Sequence, residues 1–188
     1  KSSMSQDLLD DLELRMEGAL ENYRRELGGL RTGRANPALL DGVRVDAYGA
    51  MTPISQVGNI SVPEARMLTI QVWDANLAPA VEKAIRESDL GLNPAGEGQL
   101  IRVPLPDLTE ERRRDLVKVA GRFAEETRVA VRNVRRDGME KAKRMEKDSE
   151  ISQDELKVLS ESIQKLTDSH VKQVDEGLSN KEADIMQV

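Results

Sequence analysis

Arg128, Arg132, Arg135 and Arg136 stand at offsets of four, seven and eight in the run Arg128-Val-Ala-Val-Arg132-Asn-Val-Arg135-Arg136. That spacing puts their side chains on one face of a helix. Guanidiniums gathered this way repel one another, and their planar forked donors match the oxygens of a phosphate. The chain around them is acidic, with a formal net charge of -6 at pH 7. Two readings fit the spacing equally: a surface for a polyanion, or a solvated helix face carrying scattered ion pairs.

Other chemistry is sparse. His170 is the only histidine and falls at an apolar-seam position, where a packed structural role is expected. Cysteine is absent, so a thiol nucleophile, a thiolate metal site and a disulfide framework are all excluded, and a reducing cytoplasm fits. The carboxylate pairs Asp10/Asp11, Glu110/Glu111 and Glu125/Glu126 are adjacent in sequence and splay apart by about 100° on a helix, so none shares a proton. No nucleophile elbow, phosphate loop, dinucleotide fingerprint or paired-histidine zinc motif occurs. These absences disfavour an enzyme, and no cofactor, metal or small-molecule substrate is expected. One Trp, one Phe and two Tyr leave little for stacking on single-stranded bases, and Trp73 reads as core or rim at a strand end.

The elements that must position the arginines follow from periodicity. The first segment, with Leu9, Leu12, Met16, Ala19/Leu20, Tyr23, Leu27 and Leu30, predicts an amphipathic helix to about Arg31. Between Gly33 and Pro106, Pro and Gly concentrate and β-type runs appear at 43–45, 59–62, 67–73 and 101–103, with one short helix at 79–89; this is a small α+β module. Ser88-Asp-Leu-Gly-Leu-Asn-Pro94 reads as a turn, because no Lys or Ser/Thr follows at phosphate-loop spacing. Thr109 is a good N-cap for a helix reaching about Lys147, with an inner seam at Leu116, Val119/Ala120, Phe123, Ala130 and Val134 and the arginine stripe largely away from it and exposed. Ser152-Gln-Asp-Glu155 is a capping box opening a last helix, whose seam runs through Leu156, Leu159, Ile163, Leu166, His170, Val174 and Leu178.

Long helices this polar outside their seams must pack together, which makes the fold class α+β: an elongated three-helix bundle of residues 4–31 plus 107–188, with an inserted β/α/β module at 32–106. Two segments join them, Arg31-Thr32-Gly33-Arg34 outward and Val103-Pro104-Leu105-Pro106 on return. Gly on one and two prolines on the other fit either a two-strand hinge or a fixed elbow. No apolar run approaches the roughly 18 residues of a spanning helix, and the acidic N-terminus is unlike a transit peptide, so a soluble, untargeted chain is expected. Lys1-Ser2-Ser3 before Met4 reads as a tag remnant, with Met4 as the natural start.

From Met4 to Val188 the chain resembles the bacterial ribosome recycling factors. The likeness is carried by Leu30-Arg-Thr-Gly-Arg-Ala-Asn-Pro37, Pro79-Ala-Val-Glu-Lys-Ala-Ile85, Ser88-Asp-Leu-Gly-Leu-Asn-Pro94, Ile101-Arg-Val-Pro-Leu-Pro106, Leu108-Thr-Glu-Glu-Arg-Arg113 and Val129-Ala-Val-Arg-Asn-Val-Arg-Arg136. The resemblance implies a bundle joined by a flexible hinge to a β/α/β module, together roughly the shape of a transfer RNA. It implies a non-enzymatic cytoplasmic factor that binds the post-termination ribosome and, with elongation factor G and its GTP hydrolysis, separates the subunits and releases mRNA. Arg132, Arg135 and Arg136, with Arg128 one turn earlier, would meet large-subunit rRNA. Arg31 and Arg34 sit where the family bends and would either touch RNA or fix the elbow. A monomer without membrane contact is expected. Rival readings are a helical adaptor or holdase, and an enzyme with a borrowed cofactor in the α+β module.

Overall fold

The computed structural model describes residues 3–187, so Lys1 and Ser2 of the expected tag remnant, and Val188, lie outside it. The chain divides into two compact units, one formed by the chain up to Leu27 with Lys118–Glu182 and the other by Gly28–Val117 with the chain from Ala183 onward. The second unit is larger than the expected insertion of residues 32–106. It takes in the first two turns of one long helix and the end of another.

The first unit is a bundle of α1 (Ser3–Gly28) with the larger parts of α3 (Glu110–Lys147) and α4 (Gln153–Met186). Both predicted caps are present. Thr109 Oγ1 accepts from the Arg112 amide at 3.0 Å. Ser152 Oγ accepts from the Glu155 amide at 3.0 Å while the Glu155 carboxylate accepts from the Ser152 amide at 3.2 Å, so the box satisfies two helix-end donors reciprocally. The α1 seam buries Leu8, Leu12, Met16, Leu20, Tyr23 and Leu27, and that of α4 buries Leu159, Ile163, Thr167, His170 and Val174. In α3 the buried line runs through Ala120, Ala124, Thr127, Val131, Val134 and Ala142; Phe123 and Ala130 are only half-buried. Small residues win these places because the helices approach closely. A Cβ at Gly138 would collide with Leu12, and one at Gly177 would stand 3.2 Å from the Tyr23 ring. Phe123 stays at the edge, with the Arg122 guanidinium 5.7 Å from its ring centre.

The second unit holds two antiparallel sheets. One pairs β1 (Arg44–Ala47) with β2 (Ala50–Pro53); the other has the order β3-β4-β6-β5, from β3 (Gly58–Glu64), β4 (Met67–Val72), β5 (Ala95–Glu97) and β6 (Leu100–Pro104). Helix α2 (Ala78–Arg86) buries Val81 and Ile85 against Leu68, Ile70, Val72, Ile101 and Val103. β2 and β5 have no counterpart in the sequence reading. They are short edge strands, and Ala50, Met51, Ala95, Gly96 and Glu97 are all exposed, so no alternation of apolar and polar residues announces them. Gly91, in the predicted turn after α2, has φ +67, which a residue with a Cβ adopts only under strain.

Candidate nucleic-acid interface

The arginine face lies on α3 in the bundle unit, and its members differ. Arg132 and Arg136 are exposed and Arg135 is half-buried. Among the described residues none of the three has an ion pair or side-chain hydrogen bond. Arg128 is bound. Its Nε donates to Asp175 Oδ1 at 2.8 Å, its Nη2 lies 2.8 Å from the same oxygen, and its Nη1 donates to Glu125 at 3.3 Å. With 19% of its side chain exposed, Arg128 is less accessible than Arg132 and Arg136. Burial works against its charge, but the bonds to Asp175 and Glu125 outweigh it and hold the guanidinium firmly protonated.

Beside Arg132 and Arg135 a groove of about 420 Å³ runs between α3 and α4. Its α4 wall presents Gln164, Asp168, Lys172 and Asp175, none of which stood out in the sequence. A signal was present: these residues recur at offsets of four, eight and eleven, a polar face one step around α4 from its apolar seam. Periodicity locates such a face without saying which helix it meets. Asp168 accepts from Gln164 Nε2 at 2.9 Å, and Lys172 stands 4.0 Å from Glu176 at the surface. The groove therefore has three loosely held cations and two carboxylates that are already engaged.

Three unpaired guanidiniums on one helix face of an acidic chain concentrate positive charge there. The family model for ribosome recycling factor matches residues 23–186. The chain belongs to the ribosome recycling factor family. It is 65% identical to the ribosome-recycling factor of Granulibacter bethesdensis over 96% of both chains, and 58% identical to that of Gluconobacter oxydans over the full length of both. Among solved structures it is similar to a ribosome recycling factor in solution, at 47% identity and a TM-score of 0.78 with both chains covered completely. It is also similar to the T. thermophilus factor described with E. coli elongation factor G on the E. coli post-termination complex, at 44% identity, a TM-score of 0.70, and 97% and 99% of the two chains covered. The family is one of non-enzymatic translation factors.

The two elbow arginines are placed differently from each other, both within the second unit. Arg31 is partly buried, and its Nη2 donates to the Pro106 carbonyl at 2.7 Å while its Nε is enclosed without a partner. Burial first, then the like charges of Arg66 and Arg112, lowers its pKa. Arg34 is exposed; the turn around it is closed by Thr32, whose Oγ1 donates to the Arg34 carbonyl at 3.1 Å and accepts from the Arg34 amide at 3.2 Å. Of the return segment, Val103 and Pro104 belong to β6, opposite Leu68 and Met67, whereas Leu105 and Pro106 lie beyond the strand. Sheet pairing thus takes half of the segment that sequence composition marks as hinge, because Ile101 and Val103 are buried core residues. Among the described residues no group of three His, Asp or Glu is placed to hold a metal ion, and no helix is long and apolar enough to cross a membrane.

Proposed function

We propose that this chain binds the post-termination ribosome through Arg132, Arg135 and Arg136 on large-subunit rRNA, and acts there with elongation factor G to separate the subunits and release mRNA. The observation that carries the reading is that, among the described residues, these three arginines have no internal partner and stand together on one face of α3, where their neighbour Arg128 is ion-paired. Arg34, exposed, is a secondary RNA contact. Arg31 fixes the elbow through its bond to Pro106. The proposed hinge keeps those parts of the two joining segments that lie outside helix and strand, Arg31, Thr32, Gly33 and Arg34 with Leu105 and Pro106. The chain supplies shape and charge, and the partner's GTP hydrolysis supplies the energy. The setting is the bacterial cytoplasm, and the working form is a monomer.

The test is binding to isolated large subunits across a salt series, comparing the wild type with Arg132→Ala/Arg135→Ala. Neutralising three or four phosphates gives a slope of log affinity on log salt of about -2 to -4, and the double variant is expected to be shallower by up to about 2 at unchanged helicity. Salt-insensitive binding indifferent to both substitutions would favour the adaptor reading.

A further inference from the structure

Arg128 shares the helical face of Arg132 and Arg135, yet its guanidinium is spent inside the protein. Two of its nitrogens lie on Asp175 Oδ1 at 2.8 Å and a third reaches Glu125 at 3.3 Å. A phosphate could be bound by Arg128 only after these bonds broke, which would release a carboxylate at the groove's edge. Asp175 lines the same groove as Arg132, Arg135 and Lys172. Left unpaired there, its negative charge would oppose any phosphate brought between the helices, at distances where Coulomb energies in a partly enclosed site are several-fold larger than in bulk water. The second carboxylate of the groove, Asp168, is held on one oxygen by Gln164. Lys172 sits on α4 across from the two arginines of α3, 78% exposed and only at the limit of an ion pair with Glu176.

We propose that Arg128 is a positioning residue: by binding Asp175 it neutralises a carboxylate of the groove wall, so that Arg132 and Arg135 on α3 and Lys172 on α4 hold one RNA phosphate between them. This rests on the RNA-anchor reading of Arg132 and Arg135. It assigns the groove a second wall and gives Arg128 a role distinct from that of its neighbours on the stripe.

A double-mutant cycle on binding to large subunits separates the roles, run with full-length protein over a salt series and with helicity and melting temperature measured for every variant. Arg128→Gln is expected to weaken binding about tenfold, and Asp175→Asn to stay within about twofold of the wild type. The combination Arg128→Gln/Asp175→Asn is expected to recover to within about threefold, with the wild-type salt slope. A merely structural ion pair predicts the reverse, because the combined variant lacks that pair as completely as either single one. Lys172→Met should make the slope shallower by about 1. Failure of the combined variant to recover, with a slope shallower by about 1, would make Arg128 a phosphate ligand and overturn the proposal. So would an Arg128→Gln variant that binds normally, an Asp175→Asn variant that binds as poorly as Arg128→Gln, or an unchanged slope in Lys172→Met. Arg132→Ala/Arg135→Ala run in parallel keeps the two ideas apart: if that variant binds like the wild type the RNA anchor itself is lost, whereas a weakened variant beside a cycle without recovery removes only the role of Arg128.

Discussion

Asp137 receives two cations from two helices of the bundle. Its Oδ2 accepts from Arg15 Nη1 on α1 at 2.6 Å and lies 3.2 Å from Lys141 Nζ one turn along α3. The hydrogen bond from Arg15 first, and that from Lys141 next, hold the carboxyl below its ordinary value of 3.8. A folded state that binds this proton more weakly than the unfolded chain gains stability above the unfolded value and loses it as pH falls through the folded one. Asp137→Asn is therefore expected to lower the melting temperature by about 1–3 °C at pH 7, a modest effect because the pair is solvent-screened. The difference should shrink as pH falls below the ordinary carboxylate range and toward the lowered value, as Asp137 becomes neutral like the Asn. Thermal melts at pH 7, 5, 3.5 and 2 check this, and a gap that does not narrow between pH 7 and pH 2 would mean that packing, not charge, is what Asp137 contributes. His170 shows the other use of a polar group in a seam. It is buried, its Nδ1 donates to the Leu166 carbonyl at 2.8 Å, and its Nε2 faces Glu17 at 3.3 Å across the α4–α1 contact.

At the scale of helices, the bundle's glycines fall into two kinds. Gly121 on α3 and Gly18 on α1 have nothing within 4 Å of where a Cβ would stand, so they are helix interiors with no packing reason for glycine. Gly121→Ala is expected to stabilise by about 0.5–1 kcal/mol through backbone entropy alone. At Gly138 the same substitution gains the same propensity but drives a methyl into Leu12, which is fully buried and meets it with three carbons. Overpacking of that kind costs about 1–3 kcal/mol, so Gly138→Ala should be net destabilising by about 1 kcal/mol. Denaturant melts of the two variants should move in opposite directions, and matching shifts would contradict the close α1–α3 approach at this point. The contrast also marks how far the sequence could be read. Caps and seams were legible because Thr109, Ser152 and Glu155 act within one turn and because apolar residues at three-and-four spacing report a helix by themselves. Which side of α3 goes inward was only half legible, since Ala124, Thr127 and Val131 are chosen by the closeness of neighbouring helices, a property that no single helix encodes. The arginine face was readable as a face, but the bond that sets Arg128 apart comes from Asp175, 47 residues away.

For the molecule as a whole, a formal charge of -6 conflicts with the proposed binding of a polyanion, and the charge arrangement offers a resolution. On the proposed reading, long-range repulsion disfavours approach of RNA phosphates to most of the surface, and the local field of Arg132, Arg135 and Arg136 favours it at one place. Specificity of this sort is a difference between affinities, and the acidic surface acts on the term for wrong partners. Glu13, Glu21 and Glu161 are exposed bundle residues that take no part in the groove. Changing all three to Gln brings the formal charge from -6 to -3 without touching the anchor. Affinity for an unrelated single-stranded RNA is expected to rise about three- to tenfold at about 50 mM salt, and the gain should fade by about 300 mM as the Debye length shrinks. Affinity for large subunits should rise by less, since the anchor's short-range contacts are unchanged, so the ratio between the two narrows. Filter binding of both ligands at the two salt concentrations measures that ratio directly. A ratio unmoved by the triple substitution would mean that the negative surface is incidental to partner choice and that discrimination resides entirely in the geometry of the arginine face.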